Sequence, residues 1–181
     1  KKTDKALIYG CGTGNEILAL DKKNIQIIHG VDSSNLMLEE ASKKTNHLKN
    51  VSLYLTSNFN VNLNNNYSVV ISTLVFHFIK TGEEKKTFVK NLRHFTKIGG
   101  LVILTDTFIT GNADVDHEID KKWQEYLEIS QNKERITKDF AIFRKSTFPL
   151  TLLELEKLAY SVGFTSCHQI FEFFGVKMVM L

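Results

Sequence analysis

This chain of 181 residues has little of what marks several protein classes. Its two cysteines, Cys11 and Cys167, stand far apart, and neither belongs to a C-x-x-C pair. That usage argues against a disulfide framework and against zinc, so no metal site is expected. No uninterrupted apolar run approaches the roughly 18 residues that suggest a membrane span. The start of the chain has none of the layout of a secretory signal. A reduced, cytoplasmic protein is the resulting expectation. Net charge is only +3, and the basic residues are scattered without aromatic stacking patches, so nucleic acid is not an expected partner. There are no internal repeats, and the one biased segment is 60–66, with five asparagines.

What is present is an ordinary globular composition, 43% apolar and 24% charged, at a length that suits one domain with a full core. The oligomeric state is left open, a homodimer included. The informative stretch is Ala6-Leu7-Ile8-Tyr9-Gly10-Cys11-Gly12-Thr13-Gly14. A short apolar strand enters a glycine-rich turn, and an amphipathic segment follows. Such a turn lets backbone approach a ligand closely, and the helix behind it aims free N–H groups forward. The dinucleotide fingerprint G-x-G-x-x-G would need glycine at position 15, which is Asn15. The spacing G-x-G-x-G favours a nucleoside-type cofactor instead.

Read in order, strands are expected at Lys5–Tyr9, 25–31, Val51–Leu55, Tyr67–Thr73 and 101–106. Helices are expected at Asn15–Asp21, Asn35–Thr45 and 83–96. This alternation argues for a parallel sheet in an α/β fold. Segment 111–148 breaks the rhythm and reads as one longer helix plus a shorter one. After Pro149 a helix over 151–162 has a threonine cap and a stop at Gly163. Apolar runs at 165–171 and 175–181 suggest a terminal hairpin on the sheet edge. Asp32, 18 residues after Gly14 at the end of the second strand, suits either ribose hydroxyls or a helix N-cap.

Four further elements fall in order. Gly30-Val31-Asp32-Ser33-Ser34-Asn35-Leu36-Met37-Leu38 follows the glycine turn. Thr56-Ser57-Asn58-Phe59 comes after the third strand, and Ser72-Thr73-Leu74-Val75-Phe76-His77-Phe78 closes the fourth. Leu92-Arg93-His94-Phe95-Thr96-Lys97-Ile98-Gly99-Gly100 precedes the fifth, with Ile98 where a proline is usual. Together they resemble the class I S-adenosylmethionine-dependent methyltransferases over roughly residues 5–106. The resemblance implies a Rossmann-like seven-stranded mixed sheet of order 3-2-1-4-5-7-6, an antiparallel C-terminal hairpin and helices on both faces. It implies S-adenosyl-L-methionine as cofactor and methyl transfer to a small-molecule substrate.

The resemblance also implies the site. Gly10, Cys11, Gly12, Thr13 and Gly14 would surround the methionine portion, Asp32 and Ser33 the ribose, and Asn58 and Phe59 the adenine. Ser72 and Thr73 would pass beneath the methionine end, with His77 lining the pocket as the candidate general base. Ile8 stands where the family usually has an acidic residue, and the helices that usually precede the first strand are expected to be absent. Segment 111–148 is the expected substrate cap of a single domain over 1–181. Its Trp123, Tyr126, Phe140 and Phe143 would form an apolar lid, and Lys133, Arg135, Arg144 and Lys145 would hold an anion. Alternatively these aromatics are core and these charges a solvated face.

Leu127-Glu128-Ile129-Ser130-Gln131 followed by Arg135 is similar to a segment of carboxy-S-adenosylmethionine synthase, which acts in transfer-RNA wobble-uridine modification. That enzyme class is one competing reading. A Rossmann-like binding module without catalysis is another.

Overall fold

The central strand, β1 (Lys5–Tyr9), is buried at all four residues from Ala6 to Tyr9. A strand covered on both sides reads as a continuous apolar run, because alternate residues enter different layers. Here Leu7 and Tyr9 join one apolar cluster and Ile8 joins a second on the opposite face. The computed structural model describes residues 4–23, 25–56, 61–63 and 66–181.

From β1 the chain runs through α1 (Asn15–Asp21), β2 (Ile27–Asp32), α2 (Asn35–Thr45), β3 (Val51–Leu55) and β4 (Tyr67–Thr73). A 3-10 turn at Phe76–Phe78 leads to α3 (Gly82–Phe95) and β5 (Thr96–Thr107). Then come α4 (Ala113–Glu128), α5 (Lys133–Ser146), α6 (Leu152–Ser161), β6 (His168–Phe173) and β7 (Val176–Met180). The strands make one sheet of order β3-β2-β1-β4-β5-β7-β6. The first five are parallel, and β7 runs antiparallel to both β5 and β6. This is the order that the family resemblance implied.

Helices cover both faces. Ile17 of α1 and Leu38 of α2 pack on the Ile8 side. Phe88 and Leu92 of α3, with Leu155 and Ala159 of α6, pack on the Leu7 and Tyr9 side. The helix starts are set locally: Thr81 with Glu84, and Thr151 with Glu154, form reciprocal capping boxes that satisfy otherwise orphaned N–H groups. Asn112 and Asn132 cap α4 and α5 one way only, their side-chain oxygens accepting from first-turn N–H groups. Among the described residues no helix is long and apolar enough to cross a membrane.

Some boundaries differ from expectation. β5 begins at Thr96 rather than residue 101, because Thr96 already pairs with Tyr67 before an irregularity over 97–100 resets the register to Val69 and Leu101. The helices α4 and α5 are of similar length, 16 and 14 residues. The last hairpin turns at Phe174 and Gly175, both at positive φ (46° and 76°), as a two-residue turn with the twist of its flanking strands requires.

Candidate functional site

The carboxyl ends of β1, β2 and β4 surround a cavity of about 340 Å³. Backbone bonds shape its rim: the N–H groups of Gly10 and Cys11 both donate to Val31 O, at 2.8 and 2.9 Å. Gly10 has φ +85°, and a Cβ there would stand 2.2 Å from Val75 Cγ2. No other residue fits this turn against β4. Gly12 has φ +48°, with nothing within 4 Å of a Cβ position, so its backbone lies bare at the cavity edge.

Asp32 ties this loop to the next helix. Its Oδ2 accepts from Gly12 N–H at 2.8 Å and its Oδ1 from Ser34 N–H at 2.9 Å. A carboxylate has about four acceptor positions, so both oxygens keep capacity toward the cavity that Asp32 lines. The adjoining N-cap role falls to Ser34, whose hydroxyl accepts from Met37 N–H.

Gly10, Gly12, Asp32, Ser33 and Thr73 line the cavity. Gly14 sits behind them at φ +84°, leading into α1. Cys11 and Ser72 are buried rather than facing it: Ser72 Oγ donates to Tyr9 O at 2.8 Å. Burial, reinforced by the Asp32 carboxylate, pushes the Cys11 thiol up to about 12, which leaves it inert as a nucleophile. Thr13 turns outward, accepting from Lys44 Nζ at 2.9 Å. Asn58 and Phe59 lie outside the described residues. Ile8 is fully buried in the core, so Asp32 is the one carboxylate among the described residues lining this cavity.

Several lining residues were not among the expected site residues, Leu74 and Phe78 among them. Leu74 adopts φ +55°, a conformation that costs a non-glycine residue of order 1–3 kcal/mol and that clusters at functional sites. No residue-type signal announces it. Phe78 shares with Leu74 the wall between this cavity and a second one, also about 340 Å³, beneath α4 and α5.

His77 lines the second cavity rather than the first. Its Nδ1 lies 2.6 Å from Asp106 Oδ1, with both side chains buried. Asp106 at the end of β5 was also missed; a lone aspartate in a strand carries no motif. It accepts from the N–H groups of Val75, Phe76 and Thr107 as well, so three main-chain donors and an imidazole compensate its buried charge.

Of the expected cap residues, Trp123, Phe140 and Phe143 line this second cavity. Tyr126 does not: it packs edge-on against Phe173, 5.2 Å away, at the terminal hairpin. Arg144 is consumed by Asp120, its Nε donating to Oδ2 at 2.8 Å and a terminal nitrogen to Oδ1, which joins α5 to α4. Arg135 is solvent-facing and pairs with Asp139 one turn along its own helix at 3.4 Å. Lys133 likewise pairs with Glu128 at the surface. Three of the four cations expected to hold an anion are therefore each paired with a carboxylate instead.

A mixed sheet with five parallel strands, a glycine-edged cavity at their carboxyl ends and an acid closing the second strand define a Rossmann-like nucleoside-cofactor domain. Residues 7–102 match the methyltransferase domain family, and the chain belongs to it. Over 111 residues the chain is 28% identical to a probable S-adenosyl-L-methionine-dependent methyltransferase, TehB of Haemophilus influenzae, covering 60% of this chain and 38% of that one. A solved S-adenosylmethionine-dependent methyltransferase from Clostridium acetobutylicum is 27% identical at TM-score 0.54, covering 58% of this chain and 43% of its own. The chain thus spans less than half the length of either relative. A methyltransferase of Haloferax volcanii, solved with the activator Trm112, shares the fold at TM-score 0.70 and 15% identity, covering 99% of this chain and 82% of that one. The chain is a class I methyltransferase domain, and S-adenosylmethionine is the cofactor of its family.

Proposed function

We propose that this domain binds S-adenosylmethionine at the glycine-edged cavity and transfers its methyl group to a small-molecule acceptor beneath α4 and α5. The observation that carries the reading is Asp32, which holds the loop through Gly12 while keeping acceptor capacity for both ribose hydroxyls. The cavity volume suits a nucleoside-sized ligand, and Val31, Met37 and Leu74 offer apolar walls for a base. Asn58 and Phe59 would meet the adenine, as the resemblance implies, with the Asn58 amide oxygen as a neutral acceptor. Gly10, Gly12 and Gly14 would follow the methionine portion, bordered by Thr73. With Ile8 in the core, affinity rests on Asp32 and the loop.

Bound there, the cofactor supplies an electrophilic sulfonium methyl; the chain contributes orientation and exclusion of water. Segment 111–148 is the cap in this reading, within one domain. The carboxy-S-adenosylmethionine synthase reading loses support because Arg135 faces solvent with its side chain 76% exposed. The free cysteines Cys11 and Cys167 fit a reducing, cytoplasmic setting.

Calorimetry with S-adenosylmethionine and S-adenosylhomocysteine tests the proposal. One site is expected, and Asp32→Ala weakens it about 10- to 100-fold, the worth of charge-assisted hydrogen bonds. No heat and no shift in melting temperature would overturn the enzymatic reading in favour of a binding module.

A further inference from the structure

The second cavity is walled by Phe78, Trp123, Phe140 and Phe143, and two further residues that line it carry buried polar atoms with no hydrogen-bond partner. They are His77 Nε2 and Thr107 Oγ1, on side chains that are almost completely buried. Buried polar atoms nearly always find partners, since leaving one unmade costs about 1–3 kcal/mol. Both groups hang on one oxygen: His77 Nδ1 and Thr107 N–H lie 2.6 and 2.7 Å from Asp106 Oδ1. Asp106 accepts three main-chain N–H bonds and serves as acceptor here, which assigns the ring hydrogen to Nδ1 and leaves Nε2 with an unshared lone pair.

Resting on the cofactor reading above, we propose that this chamber is the acceptor site. Its substrate class is a compact, uncharged, largely aromatic molecule with one weakly acidic hydroxyl, a phenol or enol, and His77 is the general base. The walls select the class. They carry no lysine or arginine among the described residues, so an anion finds no counter-charge there, and their one carboxylate, Asp139, is paired with Arg135 at the surface. A hydroxyl can donate to Nε2, and the Thr107 hydroxyl is available to the same ligand. Leu74 and Phe78 border both cavities, so an acceptor in one adjoins a methyl donor in the other.

In the transfer, the hydroxyl proton passes to Nε2 while the oxygen lone pair forms the bond to the methyl carbon. The carbon–sulfur bond breaks, its electron pair remaining on sulfur. Asp106 stabilises the imidazolium until the proton leaves to solvent. Charged groups around the ring include its partner Asp106 on β5, Asp139 of α5 in the same cavity wall, and Lys85 of α3, whose Nζ donates to the adjoining Phe76 O at 3.0 Å.

The probe is 4-nitrophenol, and the reporter is Trp123, the single tryptophan of the chain. Saturable quenching of its fluorescence is expected, with the visible absorbance of the bound probe shifted toward the phenolate. His77→Gln weakens binding about tenfold and removes the absorbance shift. Thr107→Val weakens binding without lowering the melting temperature, because that hydroxyl has no partner to lose. Unsaturable quenching, or equal affinity and an equal absorbance shift in wild type and His77→Gln, would overturn the proposal. Calorimetry with S-adenosylhomocysteine on the same proteins separates the two readings. Its binding without probe binding overturns this inference alone; probe binding without it supports the chamber and overturns the cofactor site.

Discussion

Asp106 accepts the His77 imidazole at 2.6 Å while also holding the main chain of Val75, Phe76 and Thr107. The relation is unequal. Asp106 without His77 keeps three donors, whereas the Val75 and Phe76 N–H groups without the carboxylate lose their acceptor. Asp106→Ala is therefore expected to cost about 3 kcal/mol, and His77→Gln about 1 kcal/mol. Urea unfolding of both variants measures this, and a larger loss in His77→Gln would contradict it.

Gly10 and Gly12 separate stability from binding. An alanine at Gly10 combines the positive φ with a contact against stiff, β-branched Val75, for about 2–4 kcal/mol. An alanine at Gly12 meets nothing and costs only the backbone term, about 1–2 kcal/mol. Its methyl does, however, occupy the cavity edge. Melting temperature is expected to fall most for Gly10→Ala, and S-adenosylhomocysteine affinity to fall in Gly12→Ala at temperatures where it stays folded.

Alkaline pH should unfold the protein in a defined order. Burial raises Cys11 from 9.0 to about 12, Cys167 from 9.0 to about 11, and Tyr9 and Tyr67 from 10.0 to about 12. The folded chain then keeps protons that the unfolded chain has released. The stability these groups contribute is complete below pH 9 and is lost as pH climbs toward 12. Lys85 acts oppositely: burial lowers it from 10.5 to about 8, partly offset by Asp106, so its contribution rises between those values. The melting temperature should hold or rise slightly from pH 8 to 9, begin to fall above pH 9 and decline steeply above 10.5. Replacing both cysteines with alanine should delay the decline toward pH 10, where the tyrosines begin.

The two arginines of α5 should behave differently. Arg144 makes a half-buried, two-pronged contact with Asp120 and lies over the Phe140 and Phe143 rings at 5.5 and 5.4 Å. Arg144→Ala is expected to cost about 1–3 kcal/mol and to loosen the pairing of α4 with α5. Arg135→Ala, at an exposed pair, should stay within about 0.5 kcal/mol of wild type. Denaturation with Trp123 fluorescence follows both, and a large loss at Arg135 would contradict the surface assignment.

What was legible in the sequence was local or periodic. The buried run of β1, the glycine spacing and the threonine cap of the helix at Thr151 each depend on residues a few positions apart. Their physics is short-ranged, so residue order alone carries it. The strand order came from the resemblance rather than from periodicity, since alternation names a parallel sheet without ordering its strands. The extended start of β5 was missed because such an irregularity depends on the partner strand, through Thr96 and Tyr67.

The sequence by itself determined the α/β class, the cofactor family and the glycine-edged loop. Tertiary structure alone decided which groups of the candidate site meet. His77 finds Asp106 across 29 positions and Arg144 finds Asp120 across 24. A carboxylate takes whichever donors the fold brings within about 3 Å, whatever their separation along the chain. The fold therefore took Arg144 out of an anion site and turned His77 toward a chamber that the chain order does not reveal.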